Sequence, residues 1–474
     1  MQKNYPLFVL LSLILTFFIG CSRTTPLIPD ENSPAVMQAN FTGKLVARYN
    51  DHSKKVAIGA PSNFSKPHSG IVVSIPGEVP ITTHSLSDGS FILRFPGESD
   101  MSIRVDWTDS NGESQSETVA VSDPYDDLDV NLKPAGIYPN RMENVGGTIW
   151  VVNSGDNEIR PYDANNLLPT GNRINAPALS NPWEAAFDGS KGIFTTLFNG
   201  AYYFNLLTGD VMPIVTTGFR EFASPNGCAI DNDRAWVVNP NPISYFPSEF
   251  GQGWVSLIAF GSFPRVNGEI DTVWLNPQFV VYRNGFLYVS CTGTVDFVPP
   301  DYYAEALTEG GIHVIDPGTL QIVDSYNLGL GAPGPMGFSP DGRYLYAASS
   351  VAGRIFRIDL AEKKILNGYD NPIVIDDKLG TYVPFITVTP QGLLVCASFN
   401  SDTIHFLDSR TGELNPFPFF KPIDLSPELT PSPFTGATWP HFYGPQDAVY
   451  AERKGKKGIL ILTTVESGFS WIEL

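Results

Sequence analysis

Histidine, cysteine and positive charge are all scarce in this chain, and each scarcity removes a class of function. Six histidines and four cysteines are spread over 474 residues, with no CxxC pair and no Cys/His spacing of the kind that closes a zinc site. No CxxCH run is present to attach haem. No G-x-S-x-G elbow is present to carry a nucleophilic serine. Lys and Arg total 30 against 49 Asp and Glu, a net charge of −19, and such a field repels phosphate backbones, so nucleic acid is not an expected partner. The one dense basic run, Arg453, Lys454, Lys456 and Lys457, falls where a hairpin turn belongs and reads as a solvated turn. One long apolar run exists, residues 7–19, shorter than the roughly 20 residues that span a bilayer.

That run follows a basic Lys3 and ends at Gly20-Cys21-Ser22, the layout of a secretory signal over residues 1–20. Phe18-Ile19-Gly20-Cys21 resembles the bacterial lipobox, with Phe18 in place of the usual Leu. The resemblance implies that Cys21 is the lipid-attachment residue, and acyl chains at about 0.8 kcal/mol per buried CH₂ hold a protein on a membrane without a spanning helix. Ser22, in place of Asp, is similar to what sends lipoproteins to the outer membrane. Residues 21–40, rich in Pro, Ser, Thr and Asn, read as a flexible tether.

Gly (43) and Pro (40) are abundant and charged residues make up only 17%, a composition suited to turn-rich, all-β structure. Residues 41–133 alternate apolar and polar positions in short runs split by turns at Pro76-Gly77, Ser87-Asp88-Gly89 and Asn111-Gly112, which predicts a small β-sandwich whose last strand is 128–132. The order of Val72-Val73-Ser74-Ile75-Pro76-Gly77, Ser87-Asp88-Gly89-Ser90-Phe91 and Val130-Asn131-Leu132 resembles the carboxypeptidase-regulatory-like sandwich, a module that usually acts as a spacer. Asp126, Asp127 and Asp129 do not have the spacing of a calcium loop and read as a solvated strand edge.

The remaining residues, 137–474, repeat one unit: a proline, an apolar strand, a Gly/Asn/Asp turn, a second strand ending near Asn, Ser or Thr, and a third ending in Asp. The prolines are Pro139, Pro182, Pro225, Pro277, Pro335, Pro384 and Pro445, at intervals of 43, 43, 52, 58, 49 and 61 residues. Repeats of this length with about four short strands each predict a seven-bladed β-propeller. Ile149-Trp150-Val151-Val152-Asn153, followed by a turn and a strand closing on Asp163, resembles the YVTN-type propeller repeat. Echoes occur at Ala235-Trp236-Val237-Val238-Asn239 and in the strands ending at Asp316, Asp359 and Asp408. Cys228, Cys291 and Cys396 fall in strands of three units and are expected as buried free thiols. His313 and His405 occupy equivalent third-strand positions and read as repeat residues. His441, in the last long loop, is the one histidine singled out for testing.

Strand alternation puts the connections between second and third strands, and those between units, on one face. Five of them are long: 240–253, 263–276, 292–310, 367–383 and 415–444. Long, aromatic-rich connections on one rim fit either a binding groove or small cores of their own. The residue after each proline is expected at the mouth of the axial channel on that face: Asn140, Trp183, Asn226, Gln278, Met336, Phe385 and Gln446. Four are amides and none is ionisable, a set that suits a neutral ligand or simply plugs the hole. Ser224-Pro225-Asn226-Gly227 is similar to the Pro-Asn-Gly segment of gluconolactonase-like hydrolases, which implies a metal-binding Asn226, with Glu143 and Glu184 as the nearest carboxylates.

Two readings follow. The first is a monomeric, lipid-anchored protein of the bacterial envelope, expected at the outer membrane. It uses no cofactor or metal and binds a protein, peptide or glycan through the long-loop face without catalysis. The second is a metal-dependent, lactonase-like hydrolase or lyase at the channel mouth. Closure of the ring is expected from the segment 135–138 pairing with the last strands.

Overall fold

The computed structural model describes residues 45–474 except 51–54, 61–63, 86–88, 90, 99, 123–127, 199, 246, 262, 299–302, 378–380, 417–421, 426–428, 432–437, 441–443 and 465–466. Cys21, the expected tether over residues 21–40 and His441 lie outside the described residues. The fold is all-β, with a small N-terminal unit followed by a seven-bladed β-propeller.

Strands β1 (Val46–Asn50), β2 (Lys55–Ala60), β3 (Gly70–Ser74), β4 (Ile81–His84), β5 (Phe91–Pro96), β6 (Ser102–Thr108) and β7 (Ser114–Ser122) form one sheet in the order β4-β3-β6-β7-β1-β2-β5. β1 and β7 run parallel and the other neighbours antiparallel. In a flat sheet β3 and β2 would stand four strand spacings apart, roughly 19 Å. Yet Ile71 and Val73 of β3 share one buried cluster with Val56 and Ile58 of β2 and Phe91 of β5. The sheet therefore folds over on itself about β7, and its two halves pack face to face. Phe64 bridges them, 6.0 Å from Phe91 and stacked on Trp107 at 4.4 Å.

Each blade is a four-stranded antiparallel meander, here lettered A to D from the axis outward. The A strands are Pro139–Val145, Pro182–Asp188, Cys228–Asp231, Pro277–Arg283, Pro333–Phe338, Ile386–Val388 and Pro445–Arg453, and they touch one another in cyclic order, with the seventh against the first. Turn chemistry explains the meander. Every A-to-B turn holds a residue at positive φ, such as Gly146 and Gly147 in blade 1, Asn284 and Gly285 in blade 4, and Lys454 and Gly455 in blade 7. The basic run at Arg453–Lys457 is thus a hairpin turn, with Lys456 paired to Glu473 at 2.6 Å. The Asp or Asn that closes strand C caps the next turn. Asp163, Asn205, Asp316, Asp359 and Asp408 each accept backbone N–H bonds two and three residues on. The small polar residue ending strand B ties that strand to C, as Thr196 Oγ1 does to the Gly200 carbonyl and Thr463 Oγ1 to Gly468, both at 3.1 Å.

A hydrogen bond staples every blade to the next. In ring order these are Ser154 Oγ to the Pro182 carbonyl, Thr195 Oγ1 to Asn226 O (2.5 Å), Gly227 N to Gln278 O (2.8 Å), Thr292 Oγ1 to Pro333 O (3.0 Å), Tyr346 Oη to Ser409 O (3.0 Å), Thr387 Oγ1 to Ala448 O, and Met142 N to Asp447 Oδ2 (2.8 Å). Each is worth about 0.5–1.5 kcal/mol.

Two expectations are corrected. Leu128–Pro134 is not a sandwich strand; it pairs antiparallel with Gly468–Glu473 as strand D of blade 7. Closure therefore comes mainly from just upstream of 135–138; within that segment Ala135 N extends the ladder to Ser467 O at 2.8 Å before the chain bends into blade 1. Residues 263–276 are not a long loop, since Arg265–Asp271 forms strand D of blade 3 against Trp254–Ala259. The other four long connections carry added strands. Hairpins Pro242–Tyr245/Ser248–Phe250 and Val295–Val298/Tyr303–Ala306 join B to C in blades 3 and 4, and Leu429–Pro431/Thr438–Pro440 lies between blades 6 and 7. Ile373–Asp376 pairs with strand C of blade 5.

Candidate functional site

In blades 1, 2, 4, 5 and 7 the A strand starts with a shift of register, and this decides what faces the channel there. Pro139 pairs with Asn153 and Arg141 with Val152, which leaves Asn140 unpaired; Gln278 and Gln446 are skipped in the same way in blades 4 and 7. A bulge re-aims the side chains that follow it. The residue two after the proline, not one, then enters the channel: Arg141, Glu184, Phe279 and Asp447, with Gly227 in blade 3. Gly227 is required there, because a Cβ would stand 2.7 Å from the Gln278 carbonyl and 2.9 Å from Phe279 Cα.

These residues line a cavity of about 280 Å³ at the starting ends of the inner strands, with walls from all seven blades. Trp150, Phe187, Phe279 and Phe385 supply aromatic surface, and Arg141, Glu143, Glu184 and Asp447 supply charge. Arg141 spans the channel. Its Nε donates to Glu184 Oε2 at 3.2 Å, its Nη1 donates to the carbonyls of Gln446 (3.1 Å) and Pro384 (3.3 Å), and its guanidinium lies 5.3 Å from the Phe279 ring centre. Asp447 accepts from the N–H groups of Met142 and Ala448, each at 2.8 Å. Glu143 accepts from the Phe187 N–H, and among the described residues no cation stands within ion-pair distance of it.

Of the three carboxyls, Glu184 and Asp447 feel the Arg141 guanidinium and Glu143 does not, and their proton affinities respond. Burial, followed by the charge of Glu184, pushes Glu143 up from 4.5 to about 8. Burial raises Glu184 to about 7 against the pull of Arg141, although the side chain keeps 21% of its surface exposed. Burial also raises Asp447, opposed by Arg141 and the two N–H donors. Near neutral pH the cavity therefore holds protons that it can share or release.

Of the seven predicted mouth residues, Met336 and Phe385 line the cavity. The other five do not. Asn140 Nδ2 donates to Ser154 Oγ, and Gln278 Nε2 donates to Asn276 Oδ1 at 3.0 Å. Gln446 offers Arg141 its carbonyl. Trp183 is half-buried with its Nε1 shielded, and Asn226 is 7% exposed, its Oδ1 without a hydrogen-bond partner among the described residues. The inference of a neutral mouth fails because the bulge brings ionisable neighbours inward. Asn226 does not join Glu143 and Glu184 in the cavity wall, and among the described residues no group of three or more His, Cys, Asp or Glu is spaced to hold a metal ion. Sequence reasoning named Glu143 and Glu184 but missed Arg141 and Asp447. The signal available was the pair of positions beyond each proline.

The other singled-out groups are structural. Cys228, Cys291 and Cys396 are buried and free, with burial holding each thiol neutral. His313 Nε2 accepts from Val273 N at 3.0 Å, Nδ1 meets Ser325 Oγ at 2.8 Å, and the ring stacks on Trp274; burial holds its pKa down near 4. His405 Nε2 meets Ser398 Oγ at 3.0 Å within blade 6. Trp254, which opens strand C of blade 3 at the end of the long connection 240–253, is buried beneath the Arg220 guanidinium, 4.3 Å away, so this part of the rim is packed as core.

No family model matches the chain, and no curated protein does. Among solved structures it resembles a streptogramin B lyase, with 12% identity and a TM-score of 0.50 over 73% of this chain and 96% of that one. It also resembles the hydrazine synthase of Kuenenia stuttgartiensis, with 13% identity and a TM-score of 0.49 over 73% and 96%. A third is virginiamycin B lyase from Staphylococcus aureus, with 12% identity and a TM-score of 0.46 over 73% and 98%. Likeness at such low identity speaks to architecture alone, and the architecture is that of a β-propeller.

Proposed function

We propose that this chain is a bacterial envelope lipoprotein, anchored through Cys21, whose propeller binds a ligand at the long-loop end of its axis. The observation that carries the reading is the axial cavity, where aromatic walls and four ionisable side chains from three blades converge in about 280 Å³. That volume takes a small molecule, or one residue of a peptide or glycan laid across the face between the hairpins of blades 3 and 4. Arg141, held by carbonyls of two other blades, is positioned before any ligand arrives, so little ordering cost falls on binding.

Turnover at the same site is a second reading, favoured by Glu143 at about 8 beside the Arg141-paired Glu184 at about 7. Two carboxyls titrating near neutrality suit general acid and base roles in a hydrolase or lyase.

The binding reading is tested by thermal-shift screening of the wild-type chain and Ala185→Leu against amines, sugars and short peptides. Ala185 lines the cavity on the inner strand of blade 2. Binding in the cavity stabilises the wild type by mass action and leaves the filled variant unshifted. Equal shifts in both proteins place the ligand elsewhere and overturn the reading.

A further inference from the structure

The charge balance of the cavity narrows the chemistry of its ligand, granted the binding reading above. Three carboxyls face one another there: Glu143 from blade 1, Glu184 from blade 2 and Asp447 from blade 7. The one guanidinium among the wall residues, Arg141, is committed to Glu184 and to backbone carbonyls. Cys228, the other titratable neighbour that feels Glu143 and Glu184, stays neutral. Glu143 thus lacks a counter-charge in a wall that also carries the rings of Trp150, Phe187, Phe279 and Phe385. One of those rings already receives a cation, since the Arg141 guanidinium sits 5.3 Å from the centre of Phe279. Ring faces attract cations most strongly where water is excluded.

We propose that the cavity binds a small organic cation, an ammonium or methylated amine on a short stem, held between Glu143 and the aromatic wall. A metal ion fits less well, because the carboxyls are not spaced to close around one and an aromatic lining offers no ligand atoms. Organic ammonium groups need no such shell; one carboxylate and two or three ring faces suffice.

Proton linkage gives the proposal a signature. With Glu143 raised to about 8 and Glu184 to about 7, the empty cavity is part-protonated at neutral pH. A bound cation favours the ionised carboxylates, so binding releases protons and tightens as pH rises from 6 towards 8.

The test is calorimetric titration of the full chain with choline and with 3,3-dimethylbutan-1-ol, which has the same shape and no charge. Choline binding is expected to exceed that of the neutral alcohol at least tenfold. It releases protons, detected as a dependence of heat on buffer ionisation enthalpy, and weakens at least tenfold in Glu143→Gln. Asp447→Asn, which keeps one acceptor oxygen for the interblade Met142 N and gives up the bond from Ala448 N, is a second variant expected to weaken choline with the ring intact. If choline and the alcohol bind equally and Ala185→Leu abolishes both, the cavity binds ligand but the cation assignment is wrong. If Ca²⁺ binds and choline does not, the site is a metal site and the proposal falls. If neither organic probe binds at millimolar concentration, the cation assignment is likewise overturned.

Discussion

Glu143 and His313 make opposite claims on pH. A carboxyl whose folded pKa is raised binds its proton more tightly when folded, so its contribution is complete below the ordinary 4.5 and is lost as pH climbs to about 8. His313, depressed from 6.5 to about 4, contributes fully above 6.5 and is lost as pH falls through 4. Glu143→Gln is therefore expected to match the wild type in stability at pH 5 and to exceed it by at least about 1 kcal/mol at pH 9, read from urea midpoints. A constant difference across that range would show that Glu143 is not held protonated by its surroundings. Part of this was legible in the sequence: Glu143 and Glu184 stand out beside the repeat prolines. Arg141 and Asp447 were not, because a bulge one residue after the proline reverses which side chain faces the axis, and no residue type advertises it.

At the scale of the strand, the decisive element is Leu128–Pro134. It closes blade 7 by pairing Phe469 with Lys133 and Trp471 with Asp129, so the ring is held shut by a segment that precedes it in the chain. The sequence shows an alternating run there but cannot show its partner, since a strand looks the same whichever sheet it completes. The repeat prolines, by contrast, were legible as blade starts: Pro139, Pro182, Pro277 and Pro445 each begin an inner strand, where Pro pre-sets φ, while Pro225 and Pro384 stand just before one and blade 5 starts at Pro333, two residues ahead of Pro335. Truncating Gly468–Glu473 and the terminal Leu474 removes strand C of blade 7 and leaves Leu128–Pro134 with no edge to pair. This change is expected to lower the melting temperature of the whole propeller, as followed by hydrogen exchange in blades 2 to 5. Loss of protection confined to blades 7 and 1 would contradict closure at that seam.

For the whole molecule, the ring brings residues 305 positions apart into one cavity, as Met142 and Asp447 illustrate. Repeat periodicity predicts the ring and the face that carries the hairpins. It does not predict a cavity, which depends on which blades place glycine, aromatic or charge at one level of the axis. The central claim is that this cavity is where ligand sits. The most direct measurement is a crystal structure of the purified protein soaked with the compound that stabilises it most. The account predicts ordered ligand density against Phe279 and Glu143, with Arg141 in place. Ligand density confined to the outer hairpins, with the axial cavity holding only water, would contradict it.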